Sequence, residues 1–276
     1  MTTQHTAQKE QALREEIVQV GSLLYQKGLI VATDGNISTR LDDNTILITP
    51  SGLCKGFMTP DQLIIIDMDG KKIGRGTAAN QNLNPTSETP MHLEVYKQRP
   101  DVDSVVHAHP PYAISLSIVG ISLADCMLPE AIVNLGLTPT TPYSTPASEE
   151  NARAIREVIS GHDAVVLQRH GSLTTGNTPL NAFYRTETLE QIARITFMLN
   201  QLGGGQPLPP HQVEKLLAAR RELGLGRAAD AVEFCEICGV CHLDGQHTSQ
   251  AKSNDTVPES ELVNAITERV LQALKQ

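Results

Sequence analysis

Asp103-Ser-Val-Val-His-Ala-His109 and Ala164-Val-Val-Leu-Gln-Arg-His170-Gly171 are two short apolar runs that each close on histidine. In extended chain, side chains at i and i+2 share a face, so His107 and His109 can reach one ion without bending the backbone. His170 ends a second run of the same kind. Three neutral imidazoles leave a tetrahedral ion one open position, the arrangement of a catalytic zinc site. A lone histidine at a strand end is usually satisfied by one hydrogen bond. A same-face pair joined by a third reads better as a ligand set.

The flanking sequence alternates helical and extended patterns. Leu13, Ile17, Val20 and Leu24 keep helical spacing, and Gly28 falls where that helix would stop. Strand-forming runs follow at Thr45-Ile-Leu-Ile-Thr49 and Leu63-Ile-Ile-Ile-Asp67, and Asp69-Gly70 carries a hairpin-turn signal. Thr86 or Ser87 can cap a helix that takes Pro90 in its first turn. A strand at Val105-Val106, a helix after Pro110-Pro111, a strand at Ala164–Leu167 and a long helix over Asn181–Leu199 continue the alternation. The pattern predicts an α/β fold: a three-layer domain with a mixed, largely antiparallel central sheet.

With 276 residues and 40% apolar content, the chain can bury one large core plus an appendage. A net charge of −9 opposes a general nucleic-acid partner, which would need a basic footprint. Aromatic residues are 3% and Trp is absent, so base-stacking platforms are not expected. No apolar run is long enough for a bilayer, and Met1–Glu10 lacks a signal-peptide core. Five cysteines without a secretory signal fit a reducing compartment. The expectation is a cytoplasmic protein with neither membrane nor nucleic-acid partners.

Glu88, in Pro85-Thr-Ser-Glu88, has two readings: an acid favoured by the dipole at a helix start, or a general base beside the metal. Three small-residue clusters can cradle an anion: Asp34-Gly-Asn-Ile-Ser38, Thr49-Pro-Ser-Gly52 and Thr86-Ser87. Backbone N–H groups in glycine-containing turns suit a phosphate dianion, but each cluster alone is equally ordinary turn chemistry. Lys55 is either a positive charge for the same anion or a solvated side chain.

Gly35-Asn36-Ile-Ser38, Thr49-Pro-Ser-Gly52, Ser87-Glu88, His107-Ala-His109 and His170-Gly171, in that order, resemble the class II aldolase/adducin family, in particular its fuculose-phosphate aldolase branch. The likeness covers about residues 10–200. It implies an α/β/α domain, over residues 8–202, assembled as a homotetramer with active sites between subunits. It implies one Zn2+ per subunit on His107, His109 and His170, with Glu88 as displaceable fourth ligand and catalytic base. Gly35, Asn36, Ser51, Gly52, Thr86 and Ser87 match the family's phosphate-binding positions.

The implied reaction is retro-aldol cleavage of a 6-deoxy-ketohexose 1-phosphate, foremost L-fuculose 1-phosphate, to dihydroxyacetone phosphate and L-lactaldehyde. Related branches act on rhamnulose or 5-deoxyribulose 1-phosphate, epimerise ribulose 5-phosphate or dehydrate methylthioribulose 1-phosphate. Adducin-like members do no chemistry, and the retained histidines and Glu88 speak against that alternative. The branch also supplies a tyrosine from the neighbouring subunit for the C4 oxygen. A gapless count from the paired histidines reaches Leu128 instead, leaving Glu130, Tyr143 or a C-terminal residue as substitutes.

Beyond the likeness, residues 203–242 read as a helical extension. It holds Cys235-Glu-Ile-Cys238-Gly-Val-Cys241-His242, which opens like a zinc knuckle. A second ion, zinc or iron–sulfur, would take Cys235, Cys238 and Cys241, with His242 or His247 completing the set; the alternative is reduced thiols packed on the domain. Residues 243–257 read as a polar linker. Residues 258–276 read as an amphipathic helix with an apolar stripe for a partner. Such tails resemble the peptides that draw enzymes to the shell or cargo of bacterial microcompartments.

Overall fold

A computed structural model describes residues 2–74, 76–227 and 230–241. The expected linker, the C-terminal amphipathic helix, His242 and His247 lie outside the described residues. The sheet has seven strands: β1 Asn36–Asp42, β2 Thr45–Ile48, β3 Ile64–Asp67, β4 Ser104–Ala108, β5 Thr140–Thr141, β6 Ala164–Leu167 and β7 Gly171–Gly176, in spatial order β3-β2-β1-β4-β7-β6-β5. Only β5 and β6 pair in parallel; every other neighbour is antiparallel. The expected mixed, largely antiparallel sheet is therefore present.

Strand period sorts the apolar residues onto two faces. Ile46, Ile48, Val105, Val165 and Leu167 pack with Met91 and Val95 of α2 (Thr89–Gln98) and Ile155 and Ile159 of α4 (Glu149–Ile159). The alternate residues Ile37, Leu47 and Val106 pack with Ile17, Val20 and Leu24 of α1 (Thr2–Gln26) and Phe183 of α5 (Pro179–Gln201). On that second side α3 (Pro111–Val119) and α5 also cover Ala164 and Val166. Two helical layers thus enclose one sheet.

β1 and β7 carry few apolar residues, and most of their buried hydroxyls are paired inside the core, Ser172 Oγ being an exception. Ser38 bonds His92 and Tyr96, Thr39 bonds Ser104, and Thr174 bonds Thr186 and the Ala182 carbonyl. Burying those hydroxyls is tolerable only because each has a partner. The helix expected to be capped by Thr86 or Ser87 starts at Thr89 instead, with Glu88 at its N-cap position and no side-chain cap bond. The Glu88 carboxylate is turned inward, toward the histidines.

The extension is part of the same compact unit. Val213 and Leu217 of α6 (Pro210–Glu222) and Phe234 of α7 (Asp230–Cys238) share a cluster with Cys126, Ile132 and Leu137. Ion pairs add to this docking. Arg227 reaches the buried Asp163 at 2.7 Å, where Arg99 and Arg185 also converge. A carboxylate with no solvent exposure needs such partners to stay charged.

Candidate active site

β4 ends one residue before His109, and β7 begins one residue after His170, so the two histidine runs meet at adjacent strand ends. The ring centroids of His107, His109 and His170 lie 4.7 to 5.1 Å apart. One ligand nitrogen from each falls within 4.8 Å of the others. Gly171 permits this closeness: a Cβ there would stand 2.3 Å from the Ala108 carbonyl oxygen and 2.9 Å from His107 Cε1. The His-Gly pair in the sequence is thus a packing requirement.

Partners set the ring tautomers. His107 Nδ1 donates to the Ser172 carbonyl at 2.8 Å, which leaves Nε2 as the lone-pair nitrogen. His109 Nδ1 faces Asp34 Oδ2 at 3.3 Å, and its Nε2 stands 3.0 Å from His107 Nε2. Glu88 Oε2 is 3.1 Å from His107 Nε2, and Glu88 Oε1 is 3.4 Å from His170 Nε2. Burial, then His107, pushes His170 down to about 4 and lowers His109 too, favouring neutral, ligand-ready rings. The three ring nitrogens and the Glu88 carboxylate are crowded against one another, and Glu88 Oε1 is buried without a hydrogen-bond partner. A cation at the centre gives them a partner. The donor set fits a divalent metal.

Glu88 is held from behind by a buried chain that sequence reading missed. Asn36 Nδ2 donates to Glu88 Oε2 at 2.8 Å, while Asn36 Oδ1 accepts from His92 Nε2. His92 Nδ1 meets Ser38 Oγ at 2.6 Å, and Ser38 Oγ meets Tyr96 Oη at 2.8 Å. His92 is fully buried and its pKa falls to about 3, from desolvation and then the field of His107. It is therefore neutral and serves as a strut. Burial alone would raise the Glu88 carboxyl. The pull of His107, Asn36 and His170 outweighs it, so Glu88 stays ionised, well below the usual carboxylate range.

The three small-residue clusters form one rim beside Glu88. The Ser51 amide donates to the Asn84 carbonyl at 2.9 Å and the Thr86 amide to the Thr49 carbonyl at 3.2 Å, zipping two of them together. The third joins through the Ile37 amide on Thr49 Oγ1 and the Asn36 contact to Glu88. Ser51, Gly52 and Ser87 are exposed, while Gly35, Asn36 and Thr86 are buried. At Gly35 a Cβ would meet Ile30 at 2.5 Å and the His107 carbonyl oxygen at 3.1 Å, which explains a glycine there. One hydrogen of the Asn36 amide is committed to Glu88. Lys55 is not a solvated side chain: it is buried, with its ammonium on the Thr33 carbonyl.

Elsewhere, Leu128 packs on the α3–α5 side, and Glu130 and Tyr143 are exposed. The structure pairs Cys126 with Cys238 and Cys235 with Cys241 as disulfides, and the sequence had not drawn Cys126 in. Among the described residues no helix is long and apolar enough to cross a membrane.

Comparison with known proteins supplies the class. Residues 15–197 match the class II aldolase and adducin N-terminal domain. A 3-oxo-tetronate 4-phosphate decarboxylase of Haemophilus influenzae is 32% identical over 192 residues, 68% of this chain and 88% of its own. An L-fuculose phosphate aldolase of Methanococcus maripaludis is 34% identical over 187 residues, 68% of this chain and 97% of its own. Among solved structures, YgbL of Klebsiella pneumoniae, described as an aldolase/epimerase/decarboxylase, superposes with a TM-score of 0.66 at 31% identity, over 75% of this chain and 98% of its own. The chain belongs to the class II aldolase and adducin family, as a metal-dependent lyase with that family's fold.

Proposed function

We propose that this protein is a zinc-dependent aldolase that cleaves a 6-deoxy-ketohexose 1-phosphate, foremost L-fuculose 1-phosphate, to dihydroxyacetone phosphate and L-lactaldehyde. The observation that carries the reading is Glu88, a buried carboxylate held on its back by Asn36 and facing three imidazole nitrogens. His107, His109 and His170 hold the ion, with Glu88 as its displaceable fourth ligand. When bound, the ion supplies a Lewis acid for the substrate's ketone oxygen, drawing off the electrons of the breaking carbon–carbon bond. Glu88 then moves the proton that the carbon remaining on the phosphate side needs. Ser51, Gly52, Thr86, Ser87, Gly35 and Asn36 anchor the phosphate remote from the breaking bond, so that its binding energy positions the ketose. Four copies assembled as a homotetramer, with sites near subunit boundaries, fit this reading.

A second reading has a specific observation behind it. A decarboxylase acting on 3-oxo-tetronate 4-phosphate is among the relatives, and Leu128 replaces the tyrosine expected to serve the C4 oxygen. Loss of carbon dioxide breaks the bond without any proton being taken from a hydroxyl. It leaves the same electron-rich carbon, which takes a proton from solvent by way of Glu88.

Purified enzyme given each substrate separately distinguishes the two. Dihydroxyacetone phosphate and lactaldehyde in equal amounts from L-fuculose 1-phosphate support the aldolase. Carbon dioxide from 3-oxo-tetronate 4-phosphate, with L-fuculose 1-phosphate untouched, would replace that reading with the decarboxylase.

A further inference from the structure

His107 and His109 have ring partners behind them, in the Ser172 carbonyl and Asp34, but His170 does not. Its Nδ1 is buried with no hydrogen-bond partner among the described residues. The position of that ring therefore rests on the backbone that carries it. The carrier is the tight turn between β6 and β7, where the His170 amide donates to the Leu167 carbonyl at 3.0 Å. Arg169 takes the left-handed conformation in that turn (φ +62°), which a residue with a Cβ adopts only where its surroundings hold it.

The holding group comes from α3. Ser117 Oγ accepts from the Arg169 amide at 3.0 Å, while donating to the Ile114 carbonyl at 2.7 Å. Ser117 is buried, so water does not readily replace it as the partner of that amide. The same helix begins two residues after His109. Pro110 and Pro111 have no amide hydrogen, and the Ile114 amide already donates to the Pro110 carbonyl at 3.0 Å. That leaves the Tyr112 and Ala113 amides of the first turn. Glu190 of α5 takes both, Oε1 accepting from Tyr112 at 2.9 Å and Oε2 from Ala113 at 3.0 Å. A carboxylate across a helix start is favoured by the backbone dipole as well as by the two bonds. Leu189 and Ala193, either side of Glu190 on α5, pack in one cluster with Ala113 and Leu116 of α3, which fixes the carboxylate on a rigid face.

α3 thus joins two metal ligands from different strands: its start is tied to His109 and its last turn to His170. We infer that Glu190 and Ser117 are positioning residues that hold His109 and His170 in place for the ion through α3. Neither is a ligand. The inference rests on the three-histidine metal reading and adds the parts that keep two of its ligands in register. Loss of either contact frees one end of α3, and with it one imidazole.

The test compares the full-length wild type with E190Q, S117A and E16Q. Each protein is stripped of metal, titrated with Zn2+ against a chromophoric chelator, and melted in its metal-free form. Glu16 is the control because its carboxylate accepts from the Leu180 amide at 2.9 Å near the start of α5, the same kind of contact with no metal ligand beyond it. E190Q and S117A should each weaken zinc binding about 10–100-fold, with kcat at saturating zinc within a few-fold of wild type because the ligands themselves remain. E16Q should lower the melting temperature yet bind zinc as the wild type does. If E190Q does not fold, S117A, which removes one hydroxyl, decides the matter. Wild-type zinc affinity in S117A or in folded E190Q would overturn the inference. So would an equal loss of affinity in E16Q, which would make the effect one of general stability. A wild type that binds no zinc would remove the metal reading itself, and the two positioning roles with it.

Discussion

The histidine cluster and the two cysteine pairs each gather side chains from separate segments of the chain, yet they differ in every supporting feature. The histidines come from adjacent strand ends, their rings are oriented by Ser172 and Asp34, and a carboxylate faces the gap between them. The cysteines come from one helix end and a loop 112 residues away, against an apolar wall. A site that must react keeps an open position and a proton carrier; a staple that must hold is closed on itself. Geometry, rather than the number of side chains, separates catalysis from stapling.

The sharpest way to break the contrast is to remove the proton carrier and keep the ion. Glu88→Gln should retain the histidine-bound metal while kcat falls ~10²–10⁴-fold, the range for a general acid–base group. Near-normal turnover with metal in place would take Glu88 out of the mechanism. Gly171→Ala should come next, because its Cβ would stand 2.3 Å from the Ala108 carbonyl oxygen. Metal content should drop along with activity, and thermal stability should fall by about 1–3 kcal/mol, the usual cost of overpacking. An unperturbed, fully metallated variant would mean the strand ends are not as tight as described.

A subtler change probes the strut behind Glu88. His92→Phe removes the link between Asn36 and Ser38 and leaves all ligands in place. Turnover should fall about tenfold with metal content intact, on the scale reported for lost partners behind a ligand. The same position carries a pH signature. The folded pKa of His92, about 3, lies below the ordinary value of 6.5, so the unfolded chain binds the extra proton first. Stability from its neutral burial is complete above pH 6.5 and drains away as pH falls toward 3. Urea midpoints measured at pH 7 and pH 4.5 should therefore converge more closely for His92→Phe than for the wild type; an equal spread would remove His92 from the acid response. The smallest expected effect on activity belongs to the other site. Cys241→Ser should lower the melting temperature by a few degrees, at about 2–4 °C per kcal/mol for a chain of this size, and leave kcat unchanged.

The same contrast explains what could be read from the sequence. The histidine pair was legible because strand period places i and i+2 together, and His170-Gly171 repeats the pattern at the neighbouring strand. Cys235 and Cys238 were legible for the same local reason. Cys126 was not: it sits alone in a loop, and nothing near it in sequence marks its partner. β1 and β7 escaped pattern reading because Ser38, Thr39, Thr174 and Thr175 are buried through hydrogen bonds, and an apolar count does not register such strands. Glu88 was legible as a helix-start acid or a base beside the metal, but its support by Asn36 and His92 depends on β1 lying beside β4 and on α2. The small-residue clusters looked like separate turns, and only the pairing of Thr49 and Thr86 shows that they share one rim.

Zinc titration of the metal-stripped protein, with turnover of L-fuculose 1-phosphate followed at each addition, bears most directly on the three-histidine centre as the seat of chemistry. Activity should be absent at the start, rise in proportion to added ion and break sharply at one per chain. Turnover before any ion is added, or a titration that never restores it, would contradict the assignment.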